Sequence, residues 1–431
     1  MKTTNPKLKG LRASLLSCTM ALPLLGMASI AHASNCEGSS FNSPALPDTA
    51  GVVKVVAEDV TDTDFVKALI PAFNEIYPNI TIEIEGAAYD VIRDRQIASL
   101  QRSEGTQNLM QVDTSWVAEY DEANFLEDLR PAINCLGADY NYDDFAESFR
   151  LIGQVEDRVL GVPFYSYPTG FVYRTDLWDT PPNTLEELVE GAIARHSDEV
   201  AGLALQQKQG FVIMEEWNAY LLSAGGQLRQ ADGTWTIDSP EARTALEAYI
   251  NVSKNAAPEA SLNWGFDETI RAASSGQASA LSTYGWVVPI VNAEGTETEG
   301  MFALAPFPGG RGTGGTWSWS IPVNGSDKDA VWAWISWLTA PEQDKARTIP
   351  GGAPVRDSVM NDPEVWEAGV SKEYYQTYSE VAAASVPMCL GTGCAEAIEA
   401  VGVEINAAVA GLKSVDEALA DAQKAAERAT R

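Results

Sequence analysis

The sequence predicts an α/β chain folded as two lobes, each a mixed sheet flanked by helices, joined by a hinge of several strands. Three observations predict this. Gly51-Val-Val-Lys-Val-Val-Ala57 reads as a buried strand, Asp64 to Tyr77 as a helix and Ile80-Thr-Ile-Glu-Ile-Glu85 as an alternating strand, the quick strand–helix–strand succession of an α/β layer. The 431 residues exceed what one hydrophobic core usually organises. Extended stretches rich in Pro or Gly at 163–173, 311–323 and 351–357 read as passages between lobes.

Along the chain, Lys2, Lys7, Lys9 and Arg12 precede an apolar run from Leu15 to Ala28 and the small-residue end Ala31-His-Ala33. That order is a secretory leader, cleaved after Ala33 and too short for a membrane anchor. Cys36 follows Ser34-Asn35, a poor lead-in for lipidation, so the expected product is released rather than tethered, in an oxidising extracytoplasmic compartment, the periplasm. In the first helix Phe65, Leu69, Ile70, Phe73 and Ile76 recur at helical spacing, and Pro78-Asn79 ends it. A helix near 89–103, a short strand at 109–113 and a helix at 115–123 continue the layer.

Pro163-Phe-Tyr-Ser-Tyr-Pro168 through Tyr173 is aromatic and extended, the first passage. Thr184 with Glu187 makes a capping pair ahead of Leu185. Helical patterns follow at 212–223, ended by Gly225-Gly226, and at 239–252. Gly312, Gly314 and Gly315 make the second passage compliant before Trp317-Ser-Trp-Ser-Ile321. Asp327 to Thr339, with Trp332, Trp334 and Trp337, reads as a core helix, and 395–429 as one or two helices broken near Gly411. Each lobe is then discontinuous: 34–165 plus 320–352 for lobe one, 170–312 plus 357–431 for lobe two. Several connecting strands let such a hinge bend while holding register.

Four cysteines follow the leader. Cys389 and Cys394, separated by Leu-Gly-Thr-Gly, suit a small bridged loop. Cys36 with Cys135 then follows by elimination, although three pairings of four cysteines are formally open. His196 is the one imidazole after the leader, so no zinc or other metal site is expected, and nothing calls for a cofactor. The chain carries 60 Asp and Glu against 29 Lys and Arg, four of the latter in the leader. So acidic a surface repels phosphate backbones and anionic lipid, which argues against nucleic acid as a partner.

Several stretches, read in order, carry a resemblance. They are Val112-Asp-Thr-Ser-Trp-Val-Ala-Glu-Tyr120 continuing to Phe125-Leu-Glu-Asp-Leu129, Gly161-Val-Pro163 through Leu177, and Pro182-Asn-Thr-Leu-Glu-Glu-Leu188. Gly225-Gly226 with Asp238-Ser-Pro-Glu-Ala242, Pro306-Phe-Pro-Gly309 before Gly314-Gly315, and Ser414-Val-Asp-Glu-Ala-Leu419 complete the set. Together the chain resembles the extracellular solute-binding proteins of ABC importers, in the sugar- and polyol-taking family that includes maltose-binding protein. The resemblance implies the type II periplasmic binding protein fold and a small carbohydrate ligand in the interlobe cleft. It further implies a monomer that docks on the transmembrane permease subunits, with no catalysis.

A sugar presents an apolar C–H face and a ring of hydroxyls, so its site wants flat aromatic faces beside carboxylate, amide or guanidinium partners. Asp113 and Trp116 stand where a strand hands over to a helix, the usual cleft edge; their bland roles are helix capping and core packing. Glu58 and Asp59 end the first strand at the same edge, or else form a solvated turn. Tyr165 and Tyr167 share one side of the first passage, and Trp317 and Trp319 one face of the second. The resemblance adds Trp286 as a stacking aromatic and Arg356 as a bidentate hydroxyl donor, against a structural salt bridge to Asp357 or another carboxylate. It also reads the absence of an aromatic in 385–394 as disfavouring a long oligosaccharide.

The rivals are a receptor for a compatible solute, amino acid or polyamine, for which aromatics plus carboxylates would serve, and a glycosidase, which needs two opposed carboxylates. No segment sets a carboxylate pair in a recognisable catalytic context.

Overall fold

A computed structural model describes residues 36–430; the leader expected over 1–33 and its cleavage after Ala33 lie outside the described residues. The strand Gly51–Glu58 pairs in parallel with Ile80–Ala87, Gly51 opposite Ile80 and Glu58 opposite Ala87, with helix Thr61–Ile76 as the connection. Val53, Val55, Val56 and Ala57 are buried, as a strand inside an α/β layer requires.

The next sheet is antiparallel, and its middle strand comes from far along the chain. Thr316–Ser320 lies between Met110–Asp113 and Val162–Ser166, and one row across the three strands reads Asp113, Trp317, Tyr165. Residues directly opposite in an antiparallel pair project from the same face, so this row gathers three side chains on one wall. Amide side chains join the two sheets in place of a strand ladder: Asn108, Gln107 and Gln111 accept the N–H groups of Lys54, Val56 and Glu58 at 2.7, 3.0 and 2.6 Å. The donor end of strand one, where Glu58 sits, is thereby fixed to the strand that carries Asp113.

A third sheet places Thr169–Arg174 between Ala280–Tyr284 and Phe302–Ala305, Thr169 opposite Tyr284. Around it, helices Leu185–Arg195, Phe211–Ser223, Pro240–Ala256, Cys394–Val409 and Val415–Ala429 bury a second core that includes Trp217, Leu246, Ile398 and Leu419. The Thr184 hydroxyl accepts from Glu187 N, as the capping pair predicts, and the terminal helices part at Gly411, whose φ of 73° is the left-handed turn glycine adopts freely. The first core holds Trp332 and Trp334 of helix Lys328–Leu338, both fully buried.

Strand Val162–Ser166 of one sheet runs through Tyr167-Pro168 directly into Thr169–Arg174 of the next, the first passage. Beside it runs 312–315: Thr169 N donates to Thr313 O at 2.7 Å and Tyr167 N to Gly315 O at 3.1 Å. A Cβ on Gly312 would stand 2.1 Å from Thr169 O, and one on Gly315 2.2 Å from the Tyr167 hydroxyl, so only glycine permits this approach. The segment that completes the trio is Ser385-Val386, bonded to the second passage through Gly314 N–Val386 O and Val386 N–Gly312 O, both 2.9 Å. Residues 351–357, expected as the third passage, are instead pinned inside the first core, because buried Asp62 and Asp344 accept the N–H groups of Ala353, Val355 and Arg356. Helix Lys372–Ala384 packs its Tyr374, Tyr375 and Tyr378 into that same core.

Cys36 is bridged to Cys135 and Cys389 to Cys394, with Cα separations of 6.2 and 5.7 Å, the ordinary span of a disulfide. Among the described residues no helix is long and apolar enough to cross a membrane.

Candidate functional site

Where the sheet rows of the two lobes face each other the chain leaves a cavity of about 130 Å³, the scale of a space that takes a ligand of about one ring. Asp113, Trp317 and Tyr165 come from the shared row, Glu58 from the end of strand one, and Tyr89 from the start of helix Tyr89–Leu100. Tyr167 enters from the segment that joins the second and third sheets. Phe211 and Glu215 come from helix Phe211–Ser223, Tyr284 from a strand end of the third sheet and Trp286 just after it, with Phe266 alongside.

Each carboxylate is held by a tyrosine hydroxyl: Tyr165 donates to Glu58, Tyr167 to Asp113 and Tyr284 to Glu215. Asp113 is bound most fully, since its Oδ1 also accepts Ser115 N at 2.9 Å and Ser115 Oγ at 2.6 Å. It thus braces the turn ahead of the following helix, without capping that helix, and faces the cavity. Glu215 also accepts from Gln206 Nε2 at 3.3 Å. The aromatic wall is continuous: Tyr284 stacks on Trp286 at 9° with centroids 5.9 Å apart, and Trp317 packs edge-on against Tyr89 and Trp116. Tyr89 stacks on Phe211 at 4.9 Å and 22°. One turn along the helix from Tyr89, Arg93 has its Nη2 2.6 Å from both Glu119 and Glu396.

Burial pushes the Glu58 carboxyl up to about 7, with Asp113 and Asp62 adding to the rise against the Tyr165 hydrogen bond. Burial pushes Glu215 to about 8, with Glu58 and Asp113 adding and Tyr284 opposing. Asp113 is raised by burial despite Ser115 and Tyr167. A folded carboxyl above its ordinary 4.5 holds a proton that the unfolded chain has released, so stability falls as pH climbs from about 4.5 through 7 and 8. The ligand-free protein is expected to melt lower at pH 8.5 than at pH 5.5, and Glu215→Gln to flatten that slope. Calorimetric melting across the range checks this, and an unchanged slope in the variant contradicts it.

The sequence profile of the bacterial extracellular solute-binding proteins matches residues 57–345. The chain belongs to that family. This solute-binding protein is 25% identical over 300 residues to a probable amino-acid ABC transporter periplasmic-binding protein of Sinorhizobium fredii, covering 66% of the chain and 68% of the relative. It is also 25% identical over 360 residues to a mannitol-binding protein of Pseudomonas aeruginosa, covering 80% and 78%. Among solved structures it resembles an ABC transporter solute-binding protein of Agrobacterium radiobacter K84 in complex with ribitol, at a TM-score of 0.81 and 20% identity, over 88% of this chain and all of that one. That likeness shows the two-lobed type II fold.

Of the residues expected at the solute-binding protein's site, the cavity gathers Glu58, Asp113, Tyr165, Tyr167, Trp286 and Trp317. The others are placed elsewhere. Asp59 is exposed, its carboxylate turned toward Gly86. Trp116 is fully buried behind Trp317 and Tyr89, the packing role weighed for it. Trp319 lies two residues along the same face as Trp317, beyond the cavity, and stacks on Phe164 at 4.5 Å inside the core. Arg356 has 0% exposure; its guanidinium donates to Thr339 O, Asn141 O and Asp144 and lies 3.8 Å over the Phe145 ring. It is a structural cation, the salt-bridge alternative weighed for it, with Asp144 as the carboxylate.

Tyr89, Phe211, Glu215, Phe266 and Tyr284 were not foreseen. Two had a signal. Glu215-Glu216 is a charged pair inside an otherwise apolar helix, where burial without a purpose is costly. Tyr284 lies two residues before Trp286 at a strand end.

Proposed function

We propose that this solute-binding protein captures a small carbohydrate, a mono- or disaccharide or polyol, and delivers it to the permease of an ABC importer from the periplasm. The observation that carries the reading is the enclosed space between the lobes, walled by aromatic faces and carboxylates from both. Flat rings suit the C–H face of a sugar, and paired carboxylates take hydroxyl donors while rejecting analogues that leave them unsatisfied. The ribitol-bound structure and the mannitol-binding relative support this ligand class.

Because each lobe brings part of the wall, ligand stabilises a closed state. We assign the lobes by the three adjacent passages, near 166–169, 312–316 and 385–386, with 316–384 returning to the first lobe. A second reading, a nitrogenous solute, is favoured by the lack of any Lys, Arg or His among the lining residues.

The test is a thermal-shift screen of sugars, polyols and their amino derivatives, followed by X-ray scattering. The fitting solute is expected to raise Tm by several degrees and reduce the radius of gyration. A full panel that produces neither change sinks the carbohydrate assignment.

A further inference from the structure

The cavity is chemically one-sided. Glu58, Asp113 and Glu215 are acceptors once ionised, and among the described residues no basic side chain lines the wall. A neutral sugar hydroxyl is donor and acceptor at once, so a sugar-filled site needs donors aimed inward. The tyrosines nearest the carboxylates direct their hydroxyl protons into Glu58, Asp113 and Glu215 instead. Arg356, the guanidinium that would have gripped hydroxyl oxygens, is fully buried among Asn141, Asp144 and Thr339. Apart from the unpartnered Trp286 indole N–H, the wall offers carboxyl oxygens and aromatic faces, the complement of a group with positive charge and no lone pairs.

We infer that the solute held here carries a protonated or quaternary ammonium group, seated between Glu58 and Glu215 and against the faces of Trp286 and Trp317. The inference rests on the interlobe cavity being the ligand site. In the empty site burial and the neighbouring acids disfavour the charged forms, so Glu58 and Glu215 retain protons near neutrality and become full acceptors only on releasing them. An arriving cation favours their charged forms, so binding expels protons and affinity rises between about pH 6 and 8.5. A charge-assisted contact of this kind is worth about ten- to a hundredfold in affinity.

The test is calorimetry on the protein without its leader, with glucose, glucosamine, N-acetylglucosamine, mannitol, choline and putrescine as probes. Two buffers of different ionisation enthalpy count the protons. At least one amine is expected to bind tenfold or more tighter than every neutral probe, with proton release, and Glu215→Gln to weaken it by about tenfold. Glucose or mannitol binding as tightly as the amines overturns the inference and leaves the carbohydrate reading standing. Choline or putrescine binding without glucosamine upholds the inference and sinks the carbohydrate class. Silence from every amine overturns the inference whether or not the variant folds. An amine that binds Trp286→Ala with unchanged affinity sits elsewhere and overturns both readings.

Discussion

Replacing Arg347 by Met is expected to remove about 3–5 kcal/mol of stability, read as a lowered midpoint in urea unfolding. Arg347 is 2% exposed and donates to both Asp62 and Asp344, themselves buried. Each of those carboxylates also accepts backbone N–H groups of 353–356. Removing the guanidinium leaves two carboxylates buried without a counter-charge, the costly half of breaking an ion pair. Asp62, already raised by burial, would rise further and take up a proton, so the loss should be greater at pH 8 than at pH 5. The combined variant Asp62→Asn, Arg347→Met, Asp344→Asn should recover much of the loss, because no charge is then stranded. A single variant as stable as the parent would show that the cluster holds nothing.

The second large effect separates two tryptophans that the sequence made look equivalent. Trp317→Ala and Trp319→Ala should each cost about 3–5 kcal/mol in stability, since both rings are buried. Only Trp317 faces the cavity, so its loss should weaken the solute found by screening about thirtyfold or more. Trp319→Ala should change that affinity less than about threefold, as its ring lies on Phe164. Titration calorimetry decides; equal losses in both variants would contradict the placement.

That pair shows how far the sequence could be read. Alternation on an extended strand is local, so Glu58, Asp113, Tyr165, Tyr167 and Trp317 announced the cavity from their own segments. What local pattern cannot show is how far along a shared face the cavity extends: it includes Trp317, while Trp319, two residues on, is covered by Phe164. Phe211 and Tyr89 open helices whose direction is set by packing between distant parts of the chain, so nothing nearby marked them. Arg356 was misplaced for a related reason: its partners Asn141, Asp144 and Thr339 are brought to it only by the fold. The segment 351–357 looked compliant from its glycines and proline, yet compliance counts for little once buried carboxylates bind its backbone.

The ring of Tyr89 resting on Phe211 has a kinetic meaning. In the proposed site, a solute beneath that pair would leave only after the two rings separate, at the cost of aromatic contact and the nearby ionic clasp of Arg93 with Glu396. Residence time would then be governed by the latch more than by the grip of the pocket floor. A transporter that pries the lobes apart would free its cargo without weakening a single contact at the bottom of the well.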